Sequence, residues 1–145
     1  MSLERARRAA ALGLLLLASL LLTGCLEQLV TTRIPSGATR NFLFFLTHGQ
    51  QDNAMAYWAP GHVPPDARAQ VAQAVTALKP YTVTVQKADV QSQTDGSAIV
   101  TLEGQAARTA AVPTGTPQPI LRAHLMEIGP GWRLLDFRLL CCPPP

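Results

Sequence analysis

Asp136 stands in the apolar stretch Leu134-Leu135-Asp136-Phe137. A carboxylate buried there would have its pKa raised and could serve as a general base. More often a carboxylate so placed pairs with an arginine, and Arg122, Arg133 and Arg138 fall in the hairpin that the sequence predicts around it. His124, in Arg122-Ala123-His124, and Tyr57 are the groups that could assist such a base, and neither has a recognisable catalytic partner. His48, His62 and His124 lack the close spacing of metal ligands, and Cys141-Cys142 does not reproduce a Cys-x-x-Cys clamp, so no metal is expected. Neither a Gly-x-Ser-x-Gly elbow, a phosphate loop nor a dinucleotide fingerprint occurs, which leaves the main nucleophile and nucleotide classes unsupported and predicts no cofactor.

The strongest chemical signal is a thiol. Arg5, Arg7 and Arg8 form a positive head, and Ala9 to Leu22 is an uncharged apolar run of fourteen residues. As a helix that run covers about 21 Å, short of a hydrocarbon core about 30 Å thick, which favours a cleaved signal segment over a membrane span. Leu22-Thr23-Gly24-Cys25 follows and resembles the lipobox of bacterial lipoproteins. The resemblance implies that the Cys25 thiol is diacylglycerylated, that the leader is cut between Gly24 and Cys25, and that the new amine is acylated, palmitate being one such chain. Several acyl chains, each buried methylene contributing about 0.8 kcal/mol, make such an anchor effectively permanent. The expected address is the cell envelope, facing away from the cytoplasm. Leu26, in place of the aspartate associated with inner-membrane retention, leans towards the outer membrane where one exists.

The other two cysteines adjoin in the tail "LLCCPPP". Adjacent Cα atoms lie about 3.8 Å apart, below the usual disulfide range of about 4.4–6.8 Å, and Pro143 biases Cys142 towards extended backbone. Two unpaired thiols on a frayed tail are therefore expected, with an interchain disulfide through Cys141 or Cys142 as the alternative in an oxidising compartment.

Removal of residues 1–24 takes three of the twelve basic residues and one of the nine acidic ones, leaving nearly balanced charge. The basic runs that nucleic-acid binding needs are absent, and the remaining length suits one domain. The predicted organisation is a leader over 1–24, a lipidated tether over 25–35, a folded domain over 36–140 and a Cys/Pro tail over 141–145.

Within the domain, Ser36 is a candidate helix cap, and Ala38, Phe42, Phe45 and Leu46 share one helical face until Gly49 stops it. Asp52 can cap a short helix over residues 53–58, and a third helix after Pro64-Pro65-Asp66 carries Val71, Ala74, Val75 and Leu78 on one side. From Tyr81 the apolar period becomes two. Four strands are predicted: one from Tyr81 to the Asp95-Gly96 turn, then Ser97 to Thr109, Pro119 to Ile128, and Trp132 to Leu140. A long connection spans Thr109 to Gln118. Trp132 and Leu134 sit on one parity and Leu135, Phe137 and Leu139 on the other, so the last strand needs a bulge near Asp136 or burial on both faces. Helices followed by strands imply an α+β domain, with N-terminal helices packed on a curved four-stranded antiparallel sheet.

That order, with "NFLFFLTHGQQDNAMAYWAP" at the front and "LMEIGPGWRLLDFRL" at the end, resembles bacterial lipoproteins of the nuclear transport factor 2-like, or cystatin-like, superfamily. The resemblance implies a cone-shaped sheet, with Trp132 closing its open end against the first helix. Phe42, Phe45, Tyr57, Trp58 and Trp132 are the candidate cavity-lining residues, and a packed core is the alternative use of the aromatic cluster. Some members of the superfamily are enzymes with an acid or base inside the cone, and others bind ligands or partners. The expected function is a non-catalytic binding domain for an envelope partner protein or a small apolar ligand. The alternative is an isomerase- or dehydratase-like enzyme using Asp136 with His124 or Tyr57.

Overall fold

The structure, a computed structural model, describes residues 33–108 and 115–143. The leader, Cys25, most of the tether and the middle of the long connection lie outside the described residues.

Helix α1 (Pro35–Thr47) starts one residue before the expected Ser36 cap. Proline at the first helical position lacks an N–H that would have gone unsatisfied, and Ile34 before it is held extended, so no side-chain cap is used. Ser36 is instead inside the helix. Ala38, Thr39, Phe42, Leu43 and Leu46 form the buried face, and the Thr39 hydroxyl donates to the Pro35 carbonyl at 2.8 Å. Gly49, with φ at +68°, turns the chain out of the helix. Helix α2 (Gln51–Met55) is shorter than expected and begins earlier. Asp52 lies in its first turn rather than capping it, and pairs with Arg68 at 2.9 Å on the surface. Helix α3 (Ala67–Leu78) buries Ala67, Val71, Ala74, Ala77 and Leu78.

The strands β1 (Thr82–Ser92), β2 (Ser97–Ala107), β3 (Gln118–Ile128) and β4 (Gly131–Leu139) form one antiparallel sheet in the order β1-β2-β3-β4, the expected meander. The helices pack on one face of it, where Val100, Leu102, Leu121, Ala123, Leu125 and Leu134 meet Phe42, Leu46, Val71 and Leu78. The domain is therefore α+β, as its element order implies.

Three register shifts interrupt the sheet. Gln86 is the extra residue in β1, Ile120 in β3 and Leu135 in β4. Each lets apolar residues on both sides of it keep the same face although their parity in sequence changes. Thus Val83 and Val85 precede the first bulge and Ala88 follows it, all against the core. In β4, Leu134 pairs with Leu125 and Phe137 with Ala123, which resolves the parity break that the sequence shows near Asp136.

The bulge in β4 coincides with a second connection. Leu134 donates its N–H to the Tyr57 carbonyl and accepts from the Ala59 N–H, each at 2.7 Å, so the segment after α2 runs alongside β4 as a short parallel bridge. Beyond β4 the N–H groups of Leu140 and Cys141 both donate to the Ile120 carbonyl, at 2.8 and 3.3 Å. The tail is thereby drawn back over the core.

Candidate functional site

The tail departs from expectation. The sulfurs of Cys141 and Cys142 are bonded to each other, and Cys142 is 5% exposed within the core cluster rather than frayed. The backbone accommodates the pairing of neighbours by placing Cys142 in the left-handed region, at φ +59°, instead of the extended conformation that Pro143 favours. Anchorage of Leu140 and Cys141 on the Ile120 carbonyl and burial of Cys142 together hold this conformation.

This tail forms one wall of an open groove of about 1070 Å³. Helix α3 forms the other wall, presenting Gln73, Ala74 and Ala77, while Phe137, Leu139 and Cys142 contribute apolar surface from β4 and the tail. Asp136 and Arg138 stand at the same groove. In volume it suits a small organic molecule or a short apolar segment of a partner.

The five aromatic residues expected to line a cavity are packed against neighbours. Phe42 lies 6.3 Å from Tyr57 and 5.0 Å from Phe137, ring centre to ring centre; Phe45 lies 5.8 Å from Tyr57, and Trp58 6.1 Å from Phe137. Trp132 packs on the same cluster, half-buried. Aromatic pairs at such separations and tilts are favourable beyond the area they bury. None of the five is among the residues that surround the groove; Phe137, not singled out from the sequence, is the aromatic residue that touches both. Burial pushes the Tyr57 hydroxyl above its ordinary pKa, against a smaller opposing pull from the Asn41 side chain and the Arg133 charge. Among the described residues the buried indole N–H of Trp58 has no acceptor.

Asp136, His124 and Tyr57 are not brought to one place. Asp136 is exposed and sits directly across from His124 in the β3–β4 ladder. Its neighbour Phe137 faces α1, so Asp136 and His124 occupy the outer face of the sheet while Tyr57 lies among the rings on the inner one. No ion pair forms between Asp136 and an arginine among the described residues. Arg133 instead donates to the Ala56 carbonyl at 3.1 Å.

His124 has a different partner. The Ser97 hydroxyl donates to Asp95 Oδ1 at 2.6 Å, and His124 Nε2 lies 3.0 Å from the same hydroxyl oxygen. Since the single hydroxyl proton goes to the carboxylate, Nε2–H of His124 is the donor to Ser97. The Ser97 N–H also bonds Asp95 Oδ1, at 3.0 Å, closing the β1–β2 turn. Bonds from the Ser97 hydroxyl and N–H lower the Asp95 pKa, with a lesser contribution from the His124 charge. Serine stands in the middle of this chain, not at its end, so the arrangement ties a turn to β3 and does not expose an activated nucleophile. The sequence shows Asp95-Gly96 as a turn; its link to His124 arises from the β2–β3 register, which no local motif encodes.

The other two histidines differ. His48 Nδ1 lies 2.8 Å from the Phe44 carbonyl and its ring stacks on Phe44, while His62 is exposed in the connection before α3. No helix of the described residues is long and apolar enough to cross a membrane.

Fold and groove together define an α+β domain with helices on one face of a bulged antiparallel meander and an open apolar cleft beside its last strand. The chain matches no known family model and no curated protein.

Proposed function

We propose that this protein is an envelope lipoprotein, held in the membrane by lipid on Cys25, whose domain is a non-catalytic binding module of the nuclear transport factor 2-like type. The helices-first order, the four-stranded meander and its three bulges support a curved sheet of that kind. The observation that carries the binding reading is the groove between α3 and β4, whose apolar residues Ala74, Ala77, Phe137, Leu139 and Cys142 offer a surface for a small apolar ligand. An envelope partner protein presenting an apolar segment is the other occupant of the same chemistry. The separation of Tyr57 from Asp136 and His124 across the sheet supports binding over isomerase- or dehydratase-like catalysis.

Two measurements test the reading. Cys25→Ser should abolish incorporation of labelled fatty acid and leave Gly24 joined to the following residue; labelling that persists overturns the anchor. Native protein purified in mild detergent should release an apolar small molecule on extraction, identified by mass spectrometry, or carry a crosslinked envelope protein at α3 or β4. A protein that yields neither overturns the binding reading.

A further inference from the structure

The pair Cys141–Cys142 is a covalent bond in the wall of the groove. Both residues line it, Cys141 half-buried and Cys142 buried in the core, and a bond between neighbours closes a small ring in the main chain itself. The ring is one of the ties on Cys142 at φ +59°, beside the anchorage of Leu140 and Cys141 and its own burial: once the ring opens, no covalent bond bars the negative φ that Pro143 favours. Such a return swings the tail about the point where Leu140 and Cys141 are fixed to the Ile120 carbonyl. Cys142 and Pro143 border the groove beyond that point, so their part of the wall moves with the ring.

We propose that Cys141–Cys142 is a thiol-exchange site whose redox state sets the shape of the groove, the disulfide form being the one that binds. The coupling to binding rests on the groove reading above; the exchange itself does not. The reductant is a dithiol, small or protein-borne. Its thiolate attacks Sγ of Cys141, the less buried of the two residues, forming a mixed disulfide and breaking the Cys141–Cys142 bond, and the Cys142 thiolate that leaves takes up a proton. The second thiol of the reductant, deprotonated, then attacks its own partner sulfur and releases Cys141 as a thiolate, which is protonated in turn. Two electrons and two protons pass to the pair, and the dithiol becomes a disulfide. Oxidation by a disulfide of the same class runs the steps in reverse.

The test uses the full chain in its native membrane and in detergent, before and after dithiothreitol. Free thiols are capped with N-ethylmaleimide, and the peptide containing residues 141 and 142 is mapped. We expect no cap before reduction and two after it. With 1-anilinonaphthalene-8-sulfonate as the groove probe, reduction should weaken binding about fivefold or more. Cys141→Ser/Cys142→Ser should bind as the reduced protein does, with or without dithiothreitol. Capped thiols in protein isolated without reductant, or a smaller difference or no dye binding in either state, overturn the proposal. Loss of circular dichroism on reduction overturns it too, since the pair would then be a structural staple. Repeating the mapping and dye binding on Cys25→Ser separates the outcomes: failure of the anchor leaves this result standing, and loss of switching leaves the anchor standing.

Discussion

Gly104 shows how closely two strands can be brought together at a bulge. A Cβ built there would overlap the carbonyl oxygen of Thr84, a backbone atom that cannot rotate away. Gly104→Ala should therefore push β1 off β2 and lower stability by about 2 kcal/mol in denaturant unfolding. Trp58 makes the contrasting case: its rings fill the core, but its N–H has no acceptor among the described residues. Trp58→Phe, which removes the orphaned donor, should cost much less than Trp58→Ala, for which about 3–5 kcal/mol is expected. Asp95 carries a pH dependence. Its pKa is lowered in the folded state, so its contribution is present above the ordinary aspartate range, near 4, and is lost as pH falls through the lower folded value. Asp95→Asn should flatten the acid side of a stability-against-pH curve, and an unchanged curve would show that Ser97 holds the turn without the charge. At this scale the sequence exposes the type of each residue and not its orientation. Asp136 reads as buried because its neighbours are apolar, yet strand alternation turns it outwards once Leu135 is set aside as the bulge.

Elements were the most legible level. Apolar period distinguishes α1 from β1, and the helices-then-meander order follows from it. The caps were less so, since proline at the first turn of α1 displaces the role expected of Ser36. The parity break in "GWRLLDFRL" correctly marks a bulge, because two apolar sets of opposite parity can reach one core only through an extra residue. What could not be read was the bridge from Tyr57 and Ala59 to Leu134, which joins residues far apart in the chain by main-chain bonds that leave no side-chain signature. Hydrogen exchange checks it: the amides of Leu134 and Ala59 should be protected together and open together, although β4 is the last strand of the sheet. Fast exchange at Ala59 beside a protected Leu134 would mean the bridge does not persist in solution. The tail departs from what its sequence predicts for a related reason. Rules of disulfide spacing treat adjacent cysteines as unfavourable, whereas the Ile120 carbonyl and the burial of Cys142 supply the support that makes their pairing tenable.

Across the whole molecule, every strand pairs with its neighbour in sequence, so the sheet can grow hairpin by hairpin, with two short turns and the longer β2–β3 connection to close. The helices are placed otherwise: α1 touches all four strands, and the last of these comes near the end of the chain. A chain made from its N-terminus thus presents Phe42, Leu43 and Leu46 well before Leu134, Phe137 and Cys142 exist to cover them. During that interval the aromatic helix is an uncovered apolar surface, the kind of segment that aggregates unless something holds it. Closure of the core therefore waits on the last hairpin, since α1 finds its full partner surface only once β4 and the tail have been made.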